Sequence, residues 1–233
     1  MSPSSQPRRR LLRNAAILLV AVACPGLAQA ADLSPAETAD LMAKLHQHRR
    51  DYPALTADFS EQKTSHLLQQ PLTSSGTLSF QAPNKFRREL KGAKPSLMVS
   101  NGQKLWIYYP SFNEAELYIL GQRAFFDSAI EALTAGLNFQ SVAEYYRYTA
   151  AKEANGYRLE LTPKSSALKR FVKTLTVSVD DQYRVTRTVA ELPKGDQVTT
   201  VYRNQKPVKG GLPGSTFDYN PPANTHVSQP LGK

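Results

Sequence analysis

Four histidines, nineteen carboxylates and one cysteine are the side chains of this 233-residue chain best suited to acid–base, nucleophilic or metal chemistry. None stands at the spacing such chemistry needs. His46 and His48 lie two apart on an expected helix, so they point in different directions and cannot chelate one ion; both read as surface residues. His66 and His226 fall in an expected loop and tail, without a spaced partner. There is no Gly-x-Ser-x-Gly elbow, no His-Glu-x-x-His pair and no glycine-rich phosphate loop leading a strand into a helix. Glu89 and Glu160 occupy the polar positions of alternating runs, and Asp180-Asp181 is ordinary turn chemistry. Catalysis is therefore the last of the readings, and no metal or cofactor is expected.

Regularly spaced apolar side chains, in contrast, are abundant. Between Gly76 and Leu120 four runs alternate apolar with polar residues: Leu78 and Phe80, Phe86 to Leu90, Leu97 and Val99, and Leu105 to Tyr109. Turn signals close them at Ala82-Pro83-Asn84, Lys91-Gly92, Asn101-Gly102 and Tyr109-Pro110. A period of two predicts strands with one buried face, and Asn-Gly between such runs predicts a hairpin. The stretch reads as an antiparallel meander whose large side chains either fill a core or line a cavity.

The flanking elements follow from local signals. Ser34 as N-cap, Pro35 at the first helical position and Glu37 completing a capping box predict a helix to near Arg50, with Leu41, Met42 and Leu45 on one face. Leu55 to Lys63 reads as a strand with Leu55, Ala57 and Phe59 on one side, and Thr64 to Ser75 as a loop or hairpin tip. Phe126, Ala129, Ile130 and Leu133 recur at helical spacing before Gly136, and a further helical turn is expected at Ser141 to Tyr146. Strands resume at Tyr146–Lys152, Tyr157–Thr162, Thr174–Val179, Tyr183–Leu192, Gln197–Asn204 and Thr216–Tyr219. The sum is about ten or eleven strands and two or three helices, a mainly β, α+β domain.

The first thirty residues read as a secretory signal. Arg8, Arg9, Arg10 and Arg13 form a basic start, Ala15 to Ala23 a short apolar stretch, and Ala28-Gln29-Ala30 a small-x-small site with cleavage after Ala30. The arginines also fit a twin-arginine signal loosely, which leaves the export route open. Ala21-Val22-Ala23-Cys24 is a competing weak lipobox that would lipidate Cys24 instead. Cleavage after Ala30 leaves no thiol, hence no disulfide and no cysteine chemistry. Residues 31–233 are then expected to form one soluble domain, because no other stretch approaches a membrane-spanning length. The net charge of +10 falls to +6 once the four signal arginines are removed. That balance either draws the protein to anionic headgroups or acidic partners, or merely keeps it soluble. No dense basic cluster suggests nucleic acid.

Six short pieces stand in order along the chain, beginning with Ala57-Asp58-Phe59-Ser60-Glu61-Gln62, Gly76-Thr77-Leu78-Ser79-Phe80 and Ala82-Pro83-Asn84-Lys85-Phe86-Arg87. They continue with Val99-Ser100-Asn101-Gly102-Gln103-Lys104-Leu105-Trp106-Ile107-Tyr108, Leu159-Glu160-Leu161-Thr162-Pro163-Lys164 and Phe217-Asp218-Tyr219-Asn220-Pro221-Pro222. Through these pieces the chain, from Leu55 to Val227, resembles the LolA family of periplasmic outer-membrane lipoprotein carriers. Each piece is weak alone; together, in order, they are specific. The resemblance implies an incomplete antiparallel β-barrel with a lid of short helices over an apolar cavity. It implies a periplasmic monomer that takes lipoprotein acyl chains from an inner-membrane lipoprotein-releasing ABC transporter and passes them to an outer-membrane receptor. The expected lipid-binding wall is Phe59, Leu78, Phe80, Phe86, Leu97, Val99, Leu105, Ile107, Leu117 and Ile119, with Phe125, Phe126, Ile130 and Leu133 as lid. For each of these a plain core role competes. Trp106 and Tyr108 have the opposite parity to Leu105 and Ile107, so one pair faces away from the cavity, and the pattern does not say which.

One position departs from the family. Ala82 stands where relatives often carry an arginine before Pro-Asn, a residue associated with lid hydrogen bonds and cargo release. Fold and apolar binding should survive this; the energetics of release are put in doubt. Arg87 and Arg88 occupy other positions and do not inherit the role. The same fold also admits a LolB-type receptor anchored through Cys24, a soluble carrier of another lipid, and an envelope-stress sensor, for which the chain looks too short.

Overall fold

A computed structural model describes residues 31–92, 94–121, 130–132 and 134–230. Strand β1 (Ala31–Asp32) leads into helix α1 (Pro35–Asp51), where the Ser34 hydroxyl accepts from the Glu37 N–H at 3.3 Å and the Glu37 carboxylate accepts from the Ser34 N–H at 2.8 Å. This reciprocal box satisfies two of the helix's orphan donors and fixes its start. Leu41, Met42 and Leu45 are buried on one face, as their spacing predicts. The next six strands form a meander: β2 (Ala54–Thr64), β3 (Leu72–Gln81), β4 (Lys85–Lys91), β5 (Ser96–Asn101), β6 (Lys104–Tyr109) and β7 (Glu114–Ile119). At the β5–β6 hairpin Gly102 takes φ +90°, and the Asn101 side chain accepts from the Gln103 and Lys104 N–H groups.

The chain then crosses the inner face of the sheet. Helical backbone at 130–132 and 134, a 3-10 turn at Phe139–Ser141 and one α-turn at Val142–Tyr145 lead into a second antiparallel run. This run comprises β8 (Tyr146–Glu153), β9 (Gly156–Pro163), β10 (Thr174–Val179), β11 (Val185–Glu191) and β12 (Gln197–Val208). After β12 a tail runs through a 3-10 turn at Gly214–Thr216 to a last short strand, β13 (His226–Ser228).

All thirteen described strands belong to one sheet, in the order β1-β8-β9-β10-β11-β12-β2-β3-β4-β5-β6-β7-β13. The two runs are joined where β12 pairs with β2, and the edges β1 and β13 pair only with β8 and β7, so the sheet never closes. It bends enough that Phe80 and Phe86 of one run share a core cluster with Leu159 and Val177 of the other, together with Leu41 and Leu45 of α1. An incomplete barrel covered from its inner side is the result.

Three expectations change. Thr216–Tyr219 is not a strand: its alternating Phe217 and Tyr219 reflect packing, with Phe217 buried and the Tyr219 ring against Trp106 and Tyr108. The terminal strand lies instead at His226–Ser228, parallel to β7. Nor are His46 and His48 free surface residues. A His46 ring nitrogen donates to the Phe139 carbonyl at 2.7 Å, and His48 is half-buried between Tyr52 and Tyr183.

Gly76, in the middle of β3, exposes a packing constraint. A Cβ there would lie 1.9 Å from the Glu89 carbonyl oxygen and 2.7 Å from the Phe59 ring, so the ring can lie across β3 only because this side chain is missing. Gly76→Ala should therefore lower stability by about 2 kcal/mol, within the usual cost of overpacking, in a denaturant titration. An unchanged midpoint would show that β3 and β4 separate freely.

Candidate functional site

Between the inner face of the sheet and the crossing segment lies a cavity of about 450 Å³. This falls within the size range of small-molecule sites, roughly 300–1,000 Å³. Its wall draws on seven consecutive strands, from Leu175 on β10 to Met98 on β5, and its cover includes Ala132, Thr134, Gly136 and Leu137. Register explains which side chains reach it. Phe80 pairs with Phe86, Leu78 with Arg88, and Arg88 with Met98, so these five share the inner face. Phe59 pairs with Tyr202, and Glu61 with Thr200, which extends that face across β2 and β12.

The same register sorts the sequence candidates. Phe59, Leu78, Phe80 and Phe86 line the cavity. Leu105 and Ile107 have the inner parity but lie in the core beside it: Leu105 opposes Ser100, the partner of Phe86, and Ile107 opposes Met98. Leu97, Val99, Leu117 and Ile119 have the other parity and belong to the outer face with Trp106 and Tyr108, a correction to the expected wall. They read as wall because the outer face is apolar here too. The tail after β12 covers it, leaving Val99 at 1% exposure, and Tyr219 stacks edge-on against Trp106 at 6.1 Å. With both faces of a strand covered, alternation loses its contrast. Of the expected lid, Ile130 is buried in the core cluster, while Phe125, Phe126 and Leu133 lie outside the described residues.

Several wall residues were invisible to sequence reasoning. Leu175, Thr188, Ala190, Val198, Thr200 and Tyr202 come from the C-terminal run, whose strands were expected but whose facing was not, and Val172 from the connection before β10. Arg88 and Glu61, given no site role by the sequence, also line the cavity. The Arg88 guanidinium donates to the Glu61 carboxylate at 2.5 Å and stacks over the Phe59 ring at 4.2 Å. Gly76 within a strand pattern was the one local signal of this close packing.

Two further features fix the cover. Arg49, on the last turn of α1, is 4% exposed and sits 5.4 Å over the Phe80 ring. Its Nη1 donates to the Tyr52 carbonyl at 3.1 Å, while Nε has no hydrogen-bond partner. Burial lowers its pKa to about 10. Within the crossing segment Thr134 Oγ1 donates to the Ile130 carbonyl at 2.9 Å and Ser141 Oγ donates to the Glu131 carboxylate at 3.1 Å, which holds its turns together. Burial, aided by nearby Glu144, pushes Glu131 above its ordinary value despite the Ser141 bond. Ala82, the site of the family departure, is tied to the turn after α1 through its N–H and the Pro53 carbonyl at 2.9 Å. Among the described residues no three His, Cys, Asp or Glu side chains gather as metal ligands, and no helix is long and apolar enough to cross a membrane.

Residues 50–212 match the family model described as outer membrane lipoprotein carrier protein LolA. An outer-membrane lipoprotein carrier protein of Dechloromonas aromatica is 28% identical over 185 residues, covering 79% of this chain and 85% of the relative. One from Proteus mirabilis is 27% identical, covering 83% and 90%. A crystal structure of a LolA superfamily protein from Nitrosomonas europaea is similar over 78% of this chain and 97% of its own, with 13% identity and a TM-score of 0.44.

Two expected outcomes separate face from face and charge from packing. Tyr219→Ala should cost about 1–3 kcal/mol of stability, read in urea, while a fluorescent apolar dye still enters the cavity, because Tyr219 packs only on the outer face. Equal loss of dye binding would contradict the register. For Glu131, a raised folded-state pKa means its stabilising contribution is complete below 4.5 and is lost as pH rises through the folded value. Glu131→Gln should therefore melt higher than the parent at pH 7, and the gap should shrink towards zero below pH 4.5. A gap independent of pH would remove the assigned cause.

Proposed function

Because the chain belongs to the LolA family of outer membrane lipoprotein carrier proteins, we propose that its cavity shelters the acyl chains of lipoproteins during transfer from the inner to the outer membrane. The observation that carries this reading is the cavity itself: a hollow of about 450 Å³, lined by Phe59, Phe80, Phe86, Leu78 and Leu175, under a segment that crosses the sheet without being part of it. Burying an acyl chain is worth ~0.8 kcal/mol per methylene, so a lipid with several chains does not leave a bilayer without an equivalent refuge. An unclosed sheet supplies one. Its inner face presents large apolar side chains, and its cover makes contact through helical turns that can shift without breaking a strand ladder.

In this reading the protein works in the periplasm as a monomer after removal of residues 1–30. It receives cargo from an inner-membrane ABC transporter and gives it to an outer-membrane receptor. No bond is made or broken in the cargo. The wall is Phe59, Leu78, Phe80 and Phe86 with its C-terminal counterparts, and Ile130 anchors the cover. Purified protein should solubilise a lipoprotein from inner-membrane vesicles when transporter and ATP are supplied. Extraction of phospholipid or fatty acid with the lipoprotein left behind would replace this reading with that of a carrier for another lipid. An acylated Cys24 at the mature N-terminus, seen by mass spectrometry, would replace it with an anchored receptor.

Ala132 is half-buried on the cover and lines the cavity. Ala132→Trp should fill the hollow, reducing acyl-probe binding at least tenfold with little change in melting temperature. Undiminished binding would place the ligand elsewhere.

A further inference from the structure

The cavity is not uniformly apolar. Taken along the strands, its wall has successive levels, set by register. Phe80 and Phe86 form one end, followed by Leu78, Arg88 and Met98, then Phe59 and Tyr202, then Glu61, Thr200 and Thr188, and finally Val198, Ala190 and Leu175. Arg88 starts from the second level, passes over the Phe59 ring at 4.2 Å and reaches Glu61 at the fourth. The ion pair therefore spans the middle of the cavity, with apolar surface on either side. Both side chains retain about a fifth of their surface accessible, 21% for Arg88 and 23% for Glu61. The Thr200 hydroxyl lies 3.5 Å from the same Glu61 oxygen.

An ion pair is a poor way to hold plain hydrocarbon. Two charges withdrawn from water gain little net stability, and aliphatic residues of the same volume would bury an acyl chain better. A guanidinium has five N–H donors, and among the described residues only its bond to Glu61 is made. We propose that Arg88 and Glu61 form a polar station inside the cavity that reads the carbonyl-bearing linkage of an acylated ligand. The ester or amide carbonyl accepts from Arg88, while the chains on either side of the linkage lie against the Phe80–Phe86 end and the Val198–Leu175 end. Glu61 keeps the station near neutral, so it favours an uncharged carbonyl linkage over the carboxylate of a free fatty acid. Gly76 is part of the device, because Phe59 can carry the guanidinium only while β3 has no side chain there. This deepens the carrier reading and rests on it: the cavity must first accept acyl chains.

The test compares ligands that differ only in their carbonyls. A diacylglycerol and the dialkyl ether of the same chain lengths are each allowed to displace the apolar dye N-phenyl-1-naphthylamine from the cavity. The parent protein should prefer the diester by about tenfold, the scale of one charge-assisted hydrogen bond. Arg88→Met combined with Glu61→Met should abolish the preference: ether and dye bind at least as tightly as in the parent, since the wall there is now apolar, and the diester no longer binds better than the ether. Dye binding also reports that the double variant is folded. Should it not fold, Arg88→Lys, which keeps the charge but loses the fork, should narrow the preference instead. Equal binding of ester and ether by the parent, or a preference that survives the substitutions, overturns the station and leaves the carrier reading intact. Failure of dye and both lipids to enter the parent removes both. Repeating the comparison with a diacylglyceryl lipopeptide and with phosphatidylglycerol identifies the source of the linkage. The ligand that loses about tenfold relative to the dialkyl ether in the double variant is the one the station reads, and loss in neither overturns the proposal.

Discussion

A sheet that bends without closing has an inner apolar face it cannot bury against itself, and the rest of this protein is arranged around that face. Thirteen strands run from β1 to β13 with no ladder between the two edges. A closed barrel of about eight strands is just filled by its own side chains, whereas a wider open sheet needs a cover from outside it. Here the cover comes from α1 and the described residues between 130 and 145, two elements outside the sheet whose contact is fastened by the His46 bond to Phe139. Loose filling is a natural outcome of such a geometry, because short helical turns cannot match a long curved wall residue for residue. The cavity is what remains between them.

The outer face of the β3–β7 half is handled differently. There the tail after β12 lies across the strands, placing Leu212 on Gln81, Phe217 in a buried position, Tyr219 on Trp106 and Tyr108, and β13 against the edge of β7. That contact protects an edge strand from pairing with another chain. It also gives this half a packed outer layer that the inner face lacks. The fold thus separates a packed outer layer from a hollow inner one on the same strands.

Charge inside the molecule follows the same division. Arg49 is committed to the Tyr52 carbonyl and the Phe80 ring, where it locks the end of α1 onto the apolar end of the cavity. Arg88 and Glu61 are accessible from the hollow and paired with each other. The first cation belongs to the frame; the second pair belongs to the space the frame encloses.

The alternation in residues 76 to 109, the capping box at Ser34 and Glu37 and the Asn-Gly turns are local signals, and each was legible because its cause lies within a few residues. They determined α1, the meander and, through motifs in order, the family. What they could not determine was the facing of Leu97, Val99, Leu117 and Ile119, since the partner that makes the outer face apolar arrives from more than a hundred residues away. The pairing of β12 with β2 brings Thr200 and Tyr202 to a wall begun by Phe59 and Glu61. A period of two shows that a strand has two faces; only the partners folded against it decide which face is the inside.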